Sequence, residues 1–120
     1  MKLTDFYLDV RPDFIVLKKY LGQKVYTINY NIRTSEENDG FGGSFKYNSI
    51  TLPNNQYDRS TVISAVIRQK YSDDEMQAII NNYLLDPDDT EAVAEFNQMQ
   101  QYRKFAKKLA DEFIEAIKED

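Results

Sequence analysis

The chain has 120 residues, of which 42% are hydrophobic and 29% are charged, and its net charge is −5. These values are typical of a single folded domain and exclude wholesale disorder. The chain has neither Cys nor His, which excludes disulfides, thiol nucleophiles and Ser-His-Asp catalysis. No stretch approaches the roughly 18 apolar residues of a membrane span. Acidic residues near the N-terminus argue against a secretory signal, so we expect a cytoplasmic protein.

The first half of the chain predicts an antiparallel sheet. The run 14–20 is rich in strand-forming residues, and 21–23 follows it as a turn. Residues 24–33 alternate between two faces, as a half-buried strand does. The segment 35–43 contains three of the four glycines and is typical of a mobile loop. Residues 44–52 resume the strand pattern, which brings the expected sheet to three or four strands.

A bulge is predicted within that last strand. Its aromatic residues Phe45 and Tyr47 share one parity, whereas Ile50 and Leu52 share the other. One extra residue between Tyr47 and Ile50 would bring all four side chains to one face.

Helix signals fill the second half. Asp58 is placed to cap one helix, and Ser72 with Glu75 forms a capping box before a second. Asp86 followed by Pro87 predicts the start of a third helix, because proline fits the first turn. The fold class is therefore α+β: an N-terminal antiparallel β-sheet followed by two short helices and one long C-terminal helix. Residues 1–120 are predicted to form one domain, β-rich over 1–55 and helical over 56–120.

The third helix runs unbroken from residue 88 to the end of the chain and would be roughly 45 Å long. A compact chain of this size is only about 35 Å across. The excess predicts that the far end of the helix packs on another copy, which makes the protein a dimer or higher homo-oligomer.

Charge is unevenly spread and bears on possible partners. Residues 1–33 carry six basic and three acidic side chains, whereas residues 86–120 carry five and ten. Such an acidic half disfavours binding to duplex nucleic acid. It suits either a solvated helix face or a contact with a basic protein.

Polar and aromatic residues along the helices are candidates for ligand binding. Asn82 and Tyr83 lie near a helix end, and Arg103 follows a glutamine-rich stretch. The segment around Arg59 and Arg68 adds two further candidates. Rings stack on bases, arginine grips phosphate, and amides contact polar edges. The same residues would also suit polar faces between core stripes. The residues predict no metal site and no cofactor.

The segments 64–72, 78–83 and 96–107 resemble a pattern seen in small proteins of bacteriophages and prophages, especially from gut Bacteroidetes. Among phage proteins, the layout is similar to the first family of Thoeris anti-defence proteins. That resemblance implies a sheet followed by long helices that dimerise. It also implies a pocket between protomers that binds cyclic ADP-ribose signals without cleaving them. The resemblance places Asn82, Arg103 and an aromatic residue, Tyr71 or Tyr83, in the pocket.

The leading prediction is thus a non-enzymatic phage-type protein that sequesters a small cyclic nucleotide signal at a subunit interface. One rival is a virion or tail accessory protein, because a long helix serves assembly equally well. The other rival is an acidic inhibitor that mimics nucleic acid toward a basic host nuclease.

Overall fold

A computed structural model describes residues 3–34 and 45–118. The predicted loop over 35–43 lies outside the described residues. Within the described residues, no helix is both long enough and apolar enough to cross a membrane.

Four antiparallel strands form one sheet and three helices follow it, which confirms the predicted α+β class. The strands are β1 (Phe6–Leu8), β2 (Ile15–Tyr20), β3 (Gln23–Thr34) and β4 (Phe45–Thr51). Their order across the sheet is β1-β4-β3-β2. Strands β2 and β3 form a hairpin in full register, from the pair Ile15 and Ile28 to the pair Tyr20 and Gln23.

The alternation along β3 is confirmed as far as Tyr30. Tyr26, Ile28 and Tyr30 are buried, as a strand with one covered face requires. The neighbouring Asn29 is also buried, and its amide donates to the carbonyl of Asp13 at 2.8 Å.

The bulge prediction in β4 is wrong, because the extra residue lies in β3. Tyr30 pairs with Asn48 and Arg33 pairs with Lys46, so three steps on β3 match two steps on β4. Asn31 lies inside this bulge with a φ of 55°. Strand β4 itself alternates regularly, and its inward side includes the buried Asn48.

The first two helices begin where the sequence predicts. Helix α1 (Arg59–Lys70) has Asp58 as its N-cap, whose carboxylate accepts from the amide of Thr61. Helix α2 (Asp73–Leu85) has the complete capping box of Ser72 and Glu75. Only Tyr71 and Ser72 separate the two helices.

The predicted start of the third helix is wrong by about one turn. Helix α3 spans Thr90–Lys118. The amide of Asp86 donates to the carbonyl of Asn82, so Asp86 closes α2 instead. Asp89 precedes the first turn of α3, and its carboxylate accepts from the amide of Glu91 at 3.0 Å. The residue that closes α2 and the residue that precedes α3 both lie in the acidic segment 86–89, and the capping pattern in the sequence does not show which aspartate belongs to which helix.

Helix α3 is long because α1 and α2 pack along it one after the other. Tyr83 of α2 stacks on Phe96, near the start of α3. Arg59, at the start of α1, bonds to Asp111 near the other end. The far end of α3 is buried in the single chain, with Phe113 fully inaccessible. The helix length therefore does not require a second copy, and oligomerisation through α3 stays a prediction.

The chain divides into two compact units that meet in sequence between Tyr57 and Asp58. The first contains the sheet. The second contains the three helices, and its buried side chains come mainly from α1 and α3. This boundary lies close to the predicted change from β-rich to helical sequence. The prediction that the two parts form one domain stays a prediction.

Candidate ligand-binding site

Helix α2 separates two open grooves. It contains no fully buried residue, which is unusual for a helix with an apolar stripe. Asp73, Met76, Gln77 and Ile80 line one groove. The four α2 residues lining the other are Glu75, Ala78, Ile79 and Asn82. The two sets follow the same helical spacing but are offset by two residues, about 200° around the helix. They therefore lie on opposite sides of α2.

The first groove, here called the arginine groove, has a volume of about 350 Å³. Small-molecule sites commonly occupy about 300–1,000 Å³. Helix α1 contributes Ser64, Ile67 and Arg68, and helix α3 contributes Arg103. Ile67, Met76 and Ile80 form an apolar surface beside these two cations. The groove therefore combines a charged edge with a floor suited to a flat ring.

The charge of the arginine groove is positive, because its lining contains two guanidinium groups and one carboxylate. Arg68 lies 3.6 Å from Asp73 through Nε and Oδ1. Both side chains are well exposed, so this contact is weak and water competes for it. Among the described residues, Arg103 forms no ion pair. The guanidinium of Arg103 is therefore available for a charge-assisted bond to an anion.

The second groove and its continuation form what we call the acidic cleft. A groove of about 330 Å³ runs between α2 and the first turns of α3. It shares Asn82 and Glu95 with a neighbouring groove of about 240 Å³ at the α2–α3 turn. Five carboxylates line the combined cleft: Glu75, Asp86, Asp89, Glu91 and Glu95. Among the residues that the structure describes, no Lys or Arg lines the cleft.

Tyr71 lies on the acidic cleft and is largely buried. Its ring packs edge-on against Tyr102, with ring centres 5.9 Å apart. Burial raises the pKa of the Tyr71 phenol, and the charges of Glu75 and Glu95 raise it further. The negative charges of Glu75 and Glu95 beside this phenol disfavour a phosphate there.

Tyr83 lines neither the arginine groove nor the acidic cleft. It is half-buried and stacks on Phe96 with ring centres 4.3 Å apart and an interplanar angle of 11°. One face of the ring is therefore already occupied within the chain. This arrangement makes Tyr83 a contact that fixes α2 on α3.

The five predicted ligand-binding residues thus divide into three groups. Arg68 and Arg103 meet in the arginine groove, although 35 positions separate them in sequence. Tyr71 and Asn82 meet in the acidic cleft on the other side of α2, and Tyr83 lies in a packing contact. Residue type alone identifies the two arginines, but the sequence gives no sign that α2 stands between them and Asn82.

Sequence reasoning missed the residues that α2 contributes to the arginine groove. Gln77 adds an amide beside the cations, and Met76 and Ile80 supply the apolar floor. Met76, Gln77 and Ile80 lie three, four and seven residues after Asp73, and this spacing was a usable signal because it places them on the same side of a helix as Asp73.

Comparison with protein families, with curated proteins and with solved structures finds no match to this chain.

Proposed function

We propose that this protein binds and sequesters a small phosphorylated, ring-bearing ligand in the arginine groove, without chemical change to the ligand. The observation that carries the proposal is the meeting of Arg68 and Arg103 over an apolar floor. Guanidinium groups hold phosphate oxygens in a bidentate manner. Ile67, Met76 and Ile80 offer a surface for a base or sugar face.

The ligand class that we propose is a cyclic nucleotide-derived signal of the cyclic ADP-ribose type. Such molecules combine phosphates with a base, and the groove offers partners for both. Within the described part of the chain, no tyrosine or phenylalanine lines the arginine groove. Recognition of the ring would therefore use the aliphatic floor, the Met76 thioether and the faces of the guanidinium groups. That the groove lies at a subunit interface stays a prediction, as does a cytoplasmic location.

The test is thermal unfolding of the full chain with a panel of cyclic ADP-ribose isomers and cyclic oligonucleotides. A ligand at about 100 times its Kd stabilises the folded state by about 2.7 kcal/mol, which raises Tm by several degrees. Mass spectrometry of the released ligand checks that it is unchanged. A panel without any shift would refute the proposal, as would a chemically altered ligand.

Three variants locate the site. Arg103→Ala removes a charge-assisted bond and is expected to weaken binding by roughly 10- to 100-fold. Lys104→Ala removes the neighbouring exposed cation and is the matched control, with binding unchanged. Asn82→Ala, in the acidic cleft, is also expected to bind normally. If Asn82→Ala abolishes binding and Arg103→Ala does not, the ligand occupies the other side of α2.

A further inference from the structure

The turn of the β2–β3 hairpin is built from residues that do not suit a free surface. Leu21 has a φ of 50° and Gly22 a φ of 80°. A two-residue turn with both φ values positive favours Asn-Gly, and a leucine in the first place is strained. Leu21 is nevertheless 85% exposed, and the adjacent Tyr20 is 74% exposed. Nothing in the sheet explains an apolar, strained residue at this position.

Cations surround these two apolar side chains. Lys18 and Lys19 precede the turn and Lys24 follows it, and all three are exposed. Lys19 lies directly opposite Lys24 in the strand register, where like charges destabilise the pairing. None of the three forms an ion pair with any residue that the structure describes. We call Tyr20, Leu21 and these three lysines the hairpin tip.

The acidic cleft has the complementary character. Its floor includes Ile79 and Ala92, and Leu85 at its end is 84% exposed. The carboxylates of Glu91 and Glu95 form neither a hydrogen bond nor an ion pair within the described part of the chain. Apolar surface bordered by the carboxylates of Glu91 and Glu95 favours an apolar segment flanked by lysines.

We propose that the hairpin tip of one copy docks into the acidic cleft of a second copy. Leu21 and Tyr20 would cover the apolar floor, while the lysines would approach Glu91 and Glu95. The tip and the cleft are different surfaces, so every copy offers both halves of the contact. It lies on the opposite side of α2 from the arginine groove and does not depend on the proposed ligand. It also differs from the contact through the far end of α3 that the sequence predicts.

The experiment is sedimentation velocity of the full chain over a wide concentration range, at low and at high salt. We expect self-association that weakens as salt rises, because the contact is between opposite charges. The tip variant combines Leu21→Asn, Lys19→Ala and Lys24→Ala, and the cleft variant combines Glu91→Gln with Glu95→Gln. Each variant alone is expected to have a dissociation constant raised by about tenfold or more.

The decisive sample is an equimolar mixture of the two variants. The tip variant keeps an intact cleft and the cleft variant keeps an intact tip, so one productive contact remains. The mixture should form a 1:1 heterodimer and nothing larger. A control variant with Lys104→Ala and Lys107→Ala loses the same number of charges from α3 and should associate like the parent chain. Circular dichroism checks that every variant is folded.

Several outcomes would overturn the proposal. The parent chain could remain monomeric at all concentrations, or the tip and cleft variants could associate as strongly as the parent. The mixture could also fail to form a heterodimer. Finally, the tip could bind phosphatidylserine vesicles while the chain stays monomeric, which would assign the tip to an anionic membrane surface. None of these results bears on the arginine groove, so the two proposals fail separately.

Discussion

The buried amide of Asn48 is a sensitive point of the sheet unit. The residue is 2% exposed. Its Nδ2 donates to the carbonyl of Thr4 at 2.8 Å and to the carboxylate of Asp5 at 3.1 Å. Its Oδ1 accepts from the amide of Asn31 at 2.8 Å. One side chain thus joins strand β4 to the segment before β1 and to the bulge in β3.

The substitution Asn48→Ala removes all three hydrogen bonds. Two are between neutral groups and contribute about 1 kcal/mol each, and the one to a carboxylate contributes about 2 kcal/mol. Thr4 and Asn31 are exposed, so water can partly replace what they lose. We therefore expect the free energy of unfolding to fall by about 3 kcal/mol, a large share of the 5–15 kcal/mol typical of a domain.

The assay is urea unfolding followed by circular dichroism and by tyrosine fluorescence, since the chain has nine Tyr and no Trp. With an m-value of about 2 kcal/mol/M, the midpoint should move down by about 1.5 M. The matched control is Asn54→Ala, which removes an exposed bond to Gln23 and should cost less than about 0.5 kcal/mol. If both variants unfold at the same urea concentration, the reasoning about the buried network is refuted.

Three further predictions use the same unfolding measurements. Phe113→Ala, at a fully buried position, should lower the free energy of unfolding by about 3–5 kcal/mol. The Arg33 guanidinium lies 2.6 Å from Asp5 and holds the pKa of that carboxyl below its ordinary value of 3.8. The ion pair therefore stabilises the fold above about pH 4, and this contribution is lost as the pH falls further. Arg33→Met should accordingly lower the free energy of unfolding at neutral pH, and this free energy should then fall less steeply than in the parent chain as the pH drops below about 4. Leu21→Asn should raise stability by about 1 kcal/mol, because asparagine tolerates the positive φ better.

Specific results would contradict each of these. A loss below 1 kcal/mol for Phe113→Ala would mean that the site collapses around the missing ring. If the free energy of unfolding falls equally with decreasing pH in Arg33→Met and in the parent chain, the Asp5–Arg33 ion pair does not contribute to the loss of stability in acid. A destabilised Leu21→Asn variant would show that the leucine makes a stabilising contact that outweighs its backbone strain.

The sequence predicts best the features that depend on neighbouring residues. The caps at Asp58 and Ser72 involve partners three residues away, so the sequence contains both members of each interaction. Asp86 shows the limit of this reasoning. It stands where one helix ends and the next begins, and the sequence signal for a cap does not say which helix it serves.

Features that depend on distant partners were not predicted. A bulge in β4 is needed only if Phe45 and Tyr47 share a face with Ile50 and Leu52, but in the structure the polar Asn48 is buried on that face instead. Its buried position is possible only because Asn31, Thr4 and Asp5 satisfy its amide from other segments. The candidate site also depends on distant partners, since Arg68 and Arg103 line one groove only when α1 and α3 pack together.

The seven-residue spacing on α3 explains why two helices, rather than one, lie along it. Ala92, Met99, Ala106 and Phe113 are buried at intervals of seven. Such a stripe drifts about 20° per interval on a straight helix, or about 60° over three intervals. A single straight partner would leave the stripe before its end. The extended backbone at Tyr71 and Ser72 gives α1 and α2 separate directions. Two straight helices can therefore pack along a buried stripe that winds around α3.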